Sequence, residues 1–114
     1  MSGCIFCAIA AREIPATFVH EDELVVAIRD NNPQAPTHVL VMPREHIASA
    51  AEITGDHAGL WNRMLSVAQG VAKAAGIAGR GYRLVVNVGQ EGGQTVDHLH
   101  MHVLGGRQMT WPPG

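Results

Sequence analysis

The chain has 114 residues, 46% of them apolar and 16% charged, with a formal net charge of -2. That size and composition predict one domain, residues 1–114, burying roughly two-thirds of its unfolded surface. With no run of Lys and Arg there is no surface built to coat nucleic acid. No apolar run nears the ~20 residues of a membrane span, and Met1-Ser2-Gly3-Cys4 lacks the basic start of a signal peptide, so a small ligand and the cytoplasm are expected.

Cys4 to Ala11 is permissive for a short helix, and Ile14-Pro15-Ala16 enforces extended backbone before a first strand near Thr17 to His20. Glu21-Asp22-Glu23 turns the chain into a second, β-branched strand, Leu24 to Ile28, so the pair reads as a hairpin. Asp30 to Pro36 is turn chemistry throughout, because Asn and Asp bond their own backbone and Pro fixes φ. A third strand runs from His38 to Met42 and ends at Pro43, and Ala48 to Ile53 suits a short helix. Thr54 fits the N-cap of the main helix, along which Leu60, Met64, Ala68, Val71 and Ala75 recur at helical spacing, and Gly76 fits its C-cap. Arg83 to Val88 is a fourth strand, Gly89 to Thr95 a glycine-rich loop, and His98 to Leu104 a fifth strand. The expectation is an α+β domain: a five-stranded antiparallel sheet with one long helix and one or two short ones, the helices on one face.

The fifth strand reads His98-Leu99-His100-Met101-His102-Val103-Leu104. Strand geometry puts alternate residues on one face, so neighbouring imidazoles stand roughly 6.6 Å apart, with Leu99, Met101 and Val103 turned to a core. Such a gap suits one tetrahedral phosphorus, with one imidazole attacking and another assisting the departing group; clustered His equally suits a metal. Neutral imidazole is nucleophilic, and His100, central in the run, is the candidate nucleophile, with His102 or His98 to handle the proton. Gly92 and Gly93 offer backbone N–H groups for phosphate oxygens, and Thr95 adds a hydroxyl. His38 opens the third strand, and Asp30 suits either a ribose or its own turn. His20 and His57, beside acidic residues, are expected to be solvated. Cys4-x-x-Cys7 has three readings: a redox pair, half a zinc site whose other ligands are His46 and His98, or two reduced thiols.

Taken together, His98 to Leu104, Gly92-Gly93-Gln94-Thr95, Pro33 to His38, Glu13-Ile14-Pro15-Ala16 and the ending Gly105 to Gly114 resemble the histidine triad (HIT) family, in its Hint branch of purine nucleoside phosphoramidases. The resemblance covers almost the whole chain. It implies a homodimer whose sheet continues across the two-fold axis, and hydrolysis of the P–N bond of purine nucleoside 5′-phosphoramidates through a nucleotidyl intermediate on His100. In that scheme His102 lies near the leaving group, His98 supports, and His38 is a further active-site imidazole. It also implies that Asp30 holds the ribose, that Asn87, Gly93, Gln94 and Thr95 serve the phosphate side, and that Ile5, Phe6, Ile9 and Ile28 enclose the base. Trp111 falls in a tail expected near the partner's site. Other branches bind structural zinc through residues matching Cys4, Cys7, His46 and His98, and no cofactor is expected in the chemistry. A dinucleoside polyphosphate hydrolase or nucleotidyl transferase is the nearest alternative, and a nucleotide-binding scaffold is one from another class.

Overall fold

The structure, a computed structural model, describes residues 3–114; Met1 and Ser2, on which part of the reading against a signal peptide rests, lie outside the described residues. In chain order the elements are helix α1 (Ile5–Ala10), strands β1 (Phe18–Glu21), β2 (Val25–Arg29) and β3 (Thr37–Pro43), helix α2 (Ala58–Ala74), and strands β4 (Tyr82–Val85) and β5 (Met101–Gly105). Two 3-10 turns, Ala50–Glu52 and Gly55–His57, lead into α2. The strands form one antiparallel sheet in the order β1-β2-β3-β5-β4.

Pleating sorts the side chains into two cores. Val25, Ala27, Val39, Val41, Leu99, Met101 and Val103 pack beneath Met64, Val67, Ala68, Val71 and Ala72 of α2. On the opposite face Val26, Ile28, Leu40 and Met42 pack against Phe6, Ile9 and Ala10 of α1. The helices therefore cover both faces, not one as expected, because β2 and β3 are apolar on both sides and each face needs a cover. A helix of six residues covers only part of its face, and the uncovered part becomes the cavity described below.

Local chemistry sets the ends of α2. Thr54 caps the 3-10 turn Gly55–His57 that runs into α2, not α2 itself as expected: it accepts from the Asp56 N–H while the His57 ring accepts from the Thr54 N–H, and His57, at the N-cap of α2, makes no side-chain cap bond there. At the other end Gly76 adopts φ +75°, its N–H bonds to Lys73 O, and the Ile77 N–H bonds to Ala72 O. This is a Schellman closure, and it drops Ile77 into the core.

Most strand bounds shift by a single residue from expectation, but two shift further. β4 ends at Val85 rather than Val88, and β5 begins at Met101 rather than His98. The His98 N–H turns back to Val96 O (2.8 Å) and the Leu99 N–H goes to Ile47 O (2.7 Å), so neither joins a strand ladder. The side-chain alternation nonetheless continues through His98, keeping the imidazoles on the α1 face. Met64, fully buried between helix and sheet, is the most direct probe of this core. Met64→Ala is expected to lower unfolding free energy by about 2–5 kcal/mol in a urea titration, with the slope unchanged.

Candidate active site

β3 and β5 pair with Leu40 opposite His102 and His38 opposite Leu104, so His38 and His102 are diagonal neighbours on one face. His38 Nε2 lies 2.8 Å from His102 Nδ1 and 3.4 Å from an Asp30 carboxylate oxygen. His100 Nδ1 lies 2.7 Å from His98 O. A carbonyl only accepts, so Nδ1 carries the proton and Nε2 keeps a lone pair. The His100 and His102 rings are 5.1 Å apart between centroids, and both line a cavity of about 220 Å³. Burial first, then the neighbouring imidazoles of His100 and His38, push the His102 pKa down to about 4. Burial likewise lowers that of His38, against the opposing pull of Asp30.

The floor and walls of the cavity include Ile5, Phe6, Ile9 and Ile28, as the family resemblance implies, with Asp30 and Thr95 at its polar end. Leu40, Ile14 and Pro15 also line it. Sequence reasoning missed these three because Ile14-Pro15 carries a stronger backbone signal, and Leu40 is indistinguishable from its core neighbours. Asp30 serves its own turn as well, one oxygen accepting from the Asn32 N–H at 2.8 Å. A larger groove of about 680 Å³ lies between α2 and the other sheet face. It reaches Asp30 and His38 but neither His100 nor His102, so the imidazole chemistry belongs to the smaller cavity.

Four residues expected at the nucleotide do not line the cavity: Asn87, Gly93, Gln94 and Trp111. Trp111 is 81% exposed. The glycine-rich loop uses its own donors to hold its shape. The Gly93 N–H goes to Gln90 O and the Gln94 N–H to Gly89 O, both at 3.0 Å, so neither is free to cradle an anion. The Gln94 side chain is fully committed: its Oε1 accepts from the Gly89 N–H, and its Nε2 donates to Ala48 O and Val96 O. Gly92 is required by close approach, since a Cβ there would lie 2.3 Å from Val88 O.

His98 is fully buried and does not reach the cavity, contrary to its expected role with the proton. Its Nε2 is 2.8 Å from Pro43 O, and its Nδ1 is 3.3 Å from Cys4 Sγ and 3.5 Å from Cys7 Sγ. Cys7 Sγ is also 3.3 Å from His46 Nδ1. The four donor atoms lie within 4.8 Å of one another. These spacings suit the edges of a tetrahedron with about 2.0–2.3 Å bonds to a metal. The Pro43 carbonyl holds the His98 proton on Nε2, leaving Nδ1 as the ligand, an arrangement typical of metal-binding imidazoles. The cluster can thus hold a tetrahedral metal through two thiolates and two imidazoles, and none of the four lines the cavity of His100 and His102.

His20 and His57 are not merely solvated. His20 bonds Asp22 at 2.6 Å, and Arg63 reaches the same carboxylate at 2.7 Å. Burial opposes ionisation of Asp22, but bonds from His20, Leu24, Arg63 and Val25 hold its pKa well below the carboxylate range. The His57 ring accepts from the Thr54 N–H and closes the capping box of the 3-10 turn before α2.

His38, His98 and His102 all titrate below the ordinary imidazole value in the folded chain, burial being the first cause in each. The unfolded chain therefore binds more protons in this range, and stability is fully present above about pH 6.5 and is lost as pH falls toward 4. Urea midpoints of the metal-free protein are expected to fall across this window, more gently in His102→Gln; a pH-independent midpoint would contradict the burial of these rings.

The HIT domain family model matches residues 11–109. The chain is 47% identical over 105 residues to the purine nucleoside phosphoramidase of Escherichia coli K12, covering 92% of this chain and 88% of that one. It is 49% identical over 115 residues to the 14 kDa zinc-binding protein of Zea mays, covering 99% and 89%. The crystal structure of a HIT family hydrolase from Legionella pneumophila Philadelphia 1 superposes with a TM-score of 0.97 at 53% identity, over 98% of this chain and 100% of that one. With its family model matched over most of its length and these relatives at 47–53% identity, this chain belongs to the HIT domain family.

Proposed function

We propose that the chain hydrolyses the P–N bond of purine nucleoside 5′-phosphoramidates, giving a nucleoside monophosphate and an amine. The observation that carries the reading is the bond from His100 Nδ1 to the His98 carbonyl, which leaves the Nε2 lone pair of a cavity-lining ring free to attack phosphorus. The name of the E. coli relative supports the substrate class. Phe6, Ile9 and Ile28 would take a planar base, and Asp30, which lines the same cavity, would accept from the ribose hydroxyls.

In the first step His100 Nε2 bonds to the α-phosphorus as the P–N bond breaks, and the amine departs with a proton from solvent at the cavity mouth. In the second step water attacks the nucleotidyl-histidine, the P–Nε2 bond breaks, and the proton returns to solvent. Thr95 and His102 offer donors to the phosphoryl oxygens, where charge accumulates. The chain would act as a homodimer: β4 is a half-buried edge strand, and Val88 and Trp111 expose apolar surface after it. A reducing compartment such as the cytoplasm suits two free thiols.

With an adenylate phosphoramidate the wild type is expected to release AMP, and rapid quenching should trap an adenylated protein by mass spectrometry. His100→Ala is expected to lower kcat by at least about 10³-fold and to abolish the adduct; turnover equal to wild type would remove His100 as nucleophile.

The Cys4, Cys7, His46 and His98 cluster is proposed to hold one structural zinc ion per chain, a reading supported by its donor chemistry and by the name of the maize relative. When bound, zinc would tie α1 to the segment before β5. Metal analysis of purified protein should give close to one zinc per chain, Cys4→Ser should lose it, and the loss should lower the thermal midpoint while the far-ultraviolet spectrum persists.

A further inference from the structure

We propose that His38 is a positioning residue that locks His102 in the tautomer with its proton on Nε2, so that His100 and His102 meet the substrate with opposite polarity. The proposal rests on the hydrolase reading for its kinetic consequence and on geometry alone for the lock. The lock begins in the turn before β3, where the Gln34 backbone N–H donates to His38 Nδ1 at 3.0 Å. An amide N–H can only donate, so His38 Nδ1 is an acceptor and the ring's proton sits on Nε2. That proton faces His102 Nδ1 at 2.8 Å and the Asp30 carboxylate at 3.4 Å, and the shorter contact takes it. His102 Nδ1 is thereby made an acceptor in turn, and the His102 proton lies on Nε2, at the end of the ring away from His38.

Two backbone groups of opposite sense therefore set two adjacent rings. A carbonyl, that of His98, fixes His100 with a lone pair on Nε2; an amide, that of Gln34, acting through His38, fixes His102 with a hydrogen on Nε2. The pair presents an attacking lone pair beside a donor for a phosphoryl oxygen. The lock also limits what His102 does. A proton added at His102 Nδ1 would face the Nε2–H of His38, and moving the His38 proton to Nδ1 would set it against the Gln34 N–H. His102 given up as an anion would have no proton to recover from His38 without stranding an imidazolate there. His102 is thus a fixed hydrogen-bond donor rather than a store of the leaving group's proton, and its contribution grows as charge develops on the phosphoryl oxygens.

The test is a long-range proton–nitrogen correlation spectrum of the zinc-loaded protein labelled with nitrogen-15 in histidine. In the free wild type, His102 is expected to show an unprotonated Nδ1 and a protonated Nε2, and His100 the reverse. A proton on His102 Nδ1 would overturn the proposal without any variant being made. His38→Leu should convert the His102 signals to a tautomeric average and lower kcat about 10²-fold, with KM changed less than about threefold. His38→Gln, whose amide can donate where the imidazole Nε2 did, should restore the Nε2–H signal and most of kcat. Unchanged His102 signals in a folded His38→Leu protein would refute the lock. Because the spectra need no substrate, they stand or fall separately from phosphoramidate turnover.

Discussion

The carbonyl of His98 is the group on which the cavity depends. It accepts from His100 Nδ1 at 2.7 Å, and without it the central imidazole could turn either nitrogen to the substrate. A carbonyl fixes a ring only if it is itself fixed. The residue that carries it is pinned at the side chain by Pro43 O and the two thiols, and at the backbone by the bond to Val96 O. The following Leu99 N–H adds a bond to Ile47 O. His98 thus works at one remove from the chemistry, as the anchor of the group that aims its neighbour but one.

Phe6 shows how few aromatic residues suffice when each is used twice. Its ring stands edge-on to His98 at 5.9 Å and to His100 at 5.1 Å, while its helix carries Cys7, follows directly on Cys4 at the N-cap, and supplies part of the cavity wall. Edge-to-face contacts restrict the rotation of both imidazoles without adding a polar group to the buried side. One short helix consequently connects the donor cluster, the His100 ring and the wall of the smaller cavity.

Period-two alternation made the triad face and the Leu99, Met101 and Val103 core legible in the sequence, and Gly76 marked the end of the long helix, whereas Thr54 caps the 3-10 turn before it. The apolar residues of the slot and the four ligand-type residues of the cluster were legible only through the family resemblance. What escaped was non-local. The departure of His98 and Leu99 from the ladder depends on Ile47, half the chain away, and no strand signal encodes it. Gln94 looked like a polar residue offered to a ligand, whereas it is spent on the carbonyls of Ala48 and Val96 and the amide of Gly89. The placement of helices on both faces follows from β2 being apolar and buried from Val25 to Ile28, a pattern that periodicity alone does not assign to one side.

The stretch from His46 to Ala48 has no regular secondary structure, yet three parts of the molecule hold it: Leu99 takes the Ile47 carbonyl, Gln94 takes the Ala48 carbonyl, and Cys7 faces the His46 ring. Loops are ordinarily where chains accept extra length, because their ends alone are constrained. Here every consecutive residue is a fastening, so adding or removing one would put the next out of step with all three attachments. In this fold the irregular strap beneath the imidazoles is the part least free to drift in length, while the exposed Ala78-Gly79-Arg80-Gly81 turn is the natural place for variation.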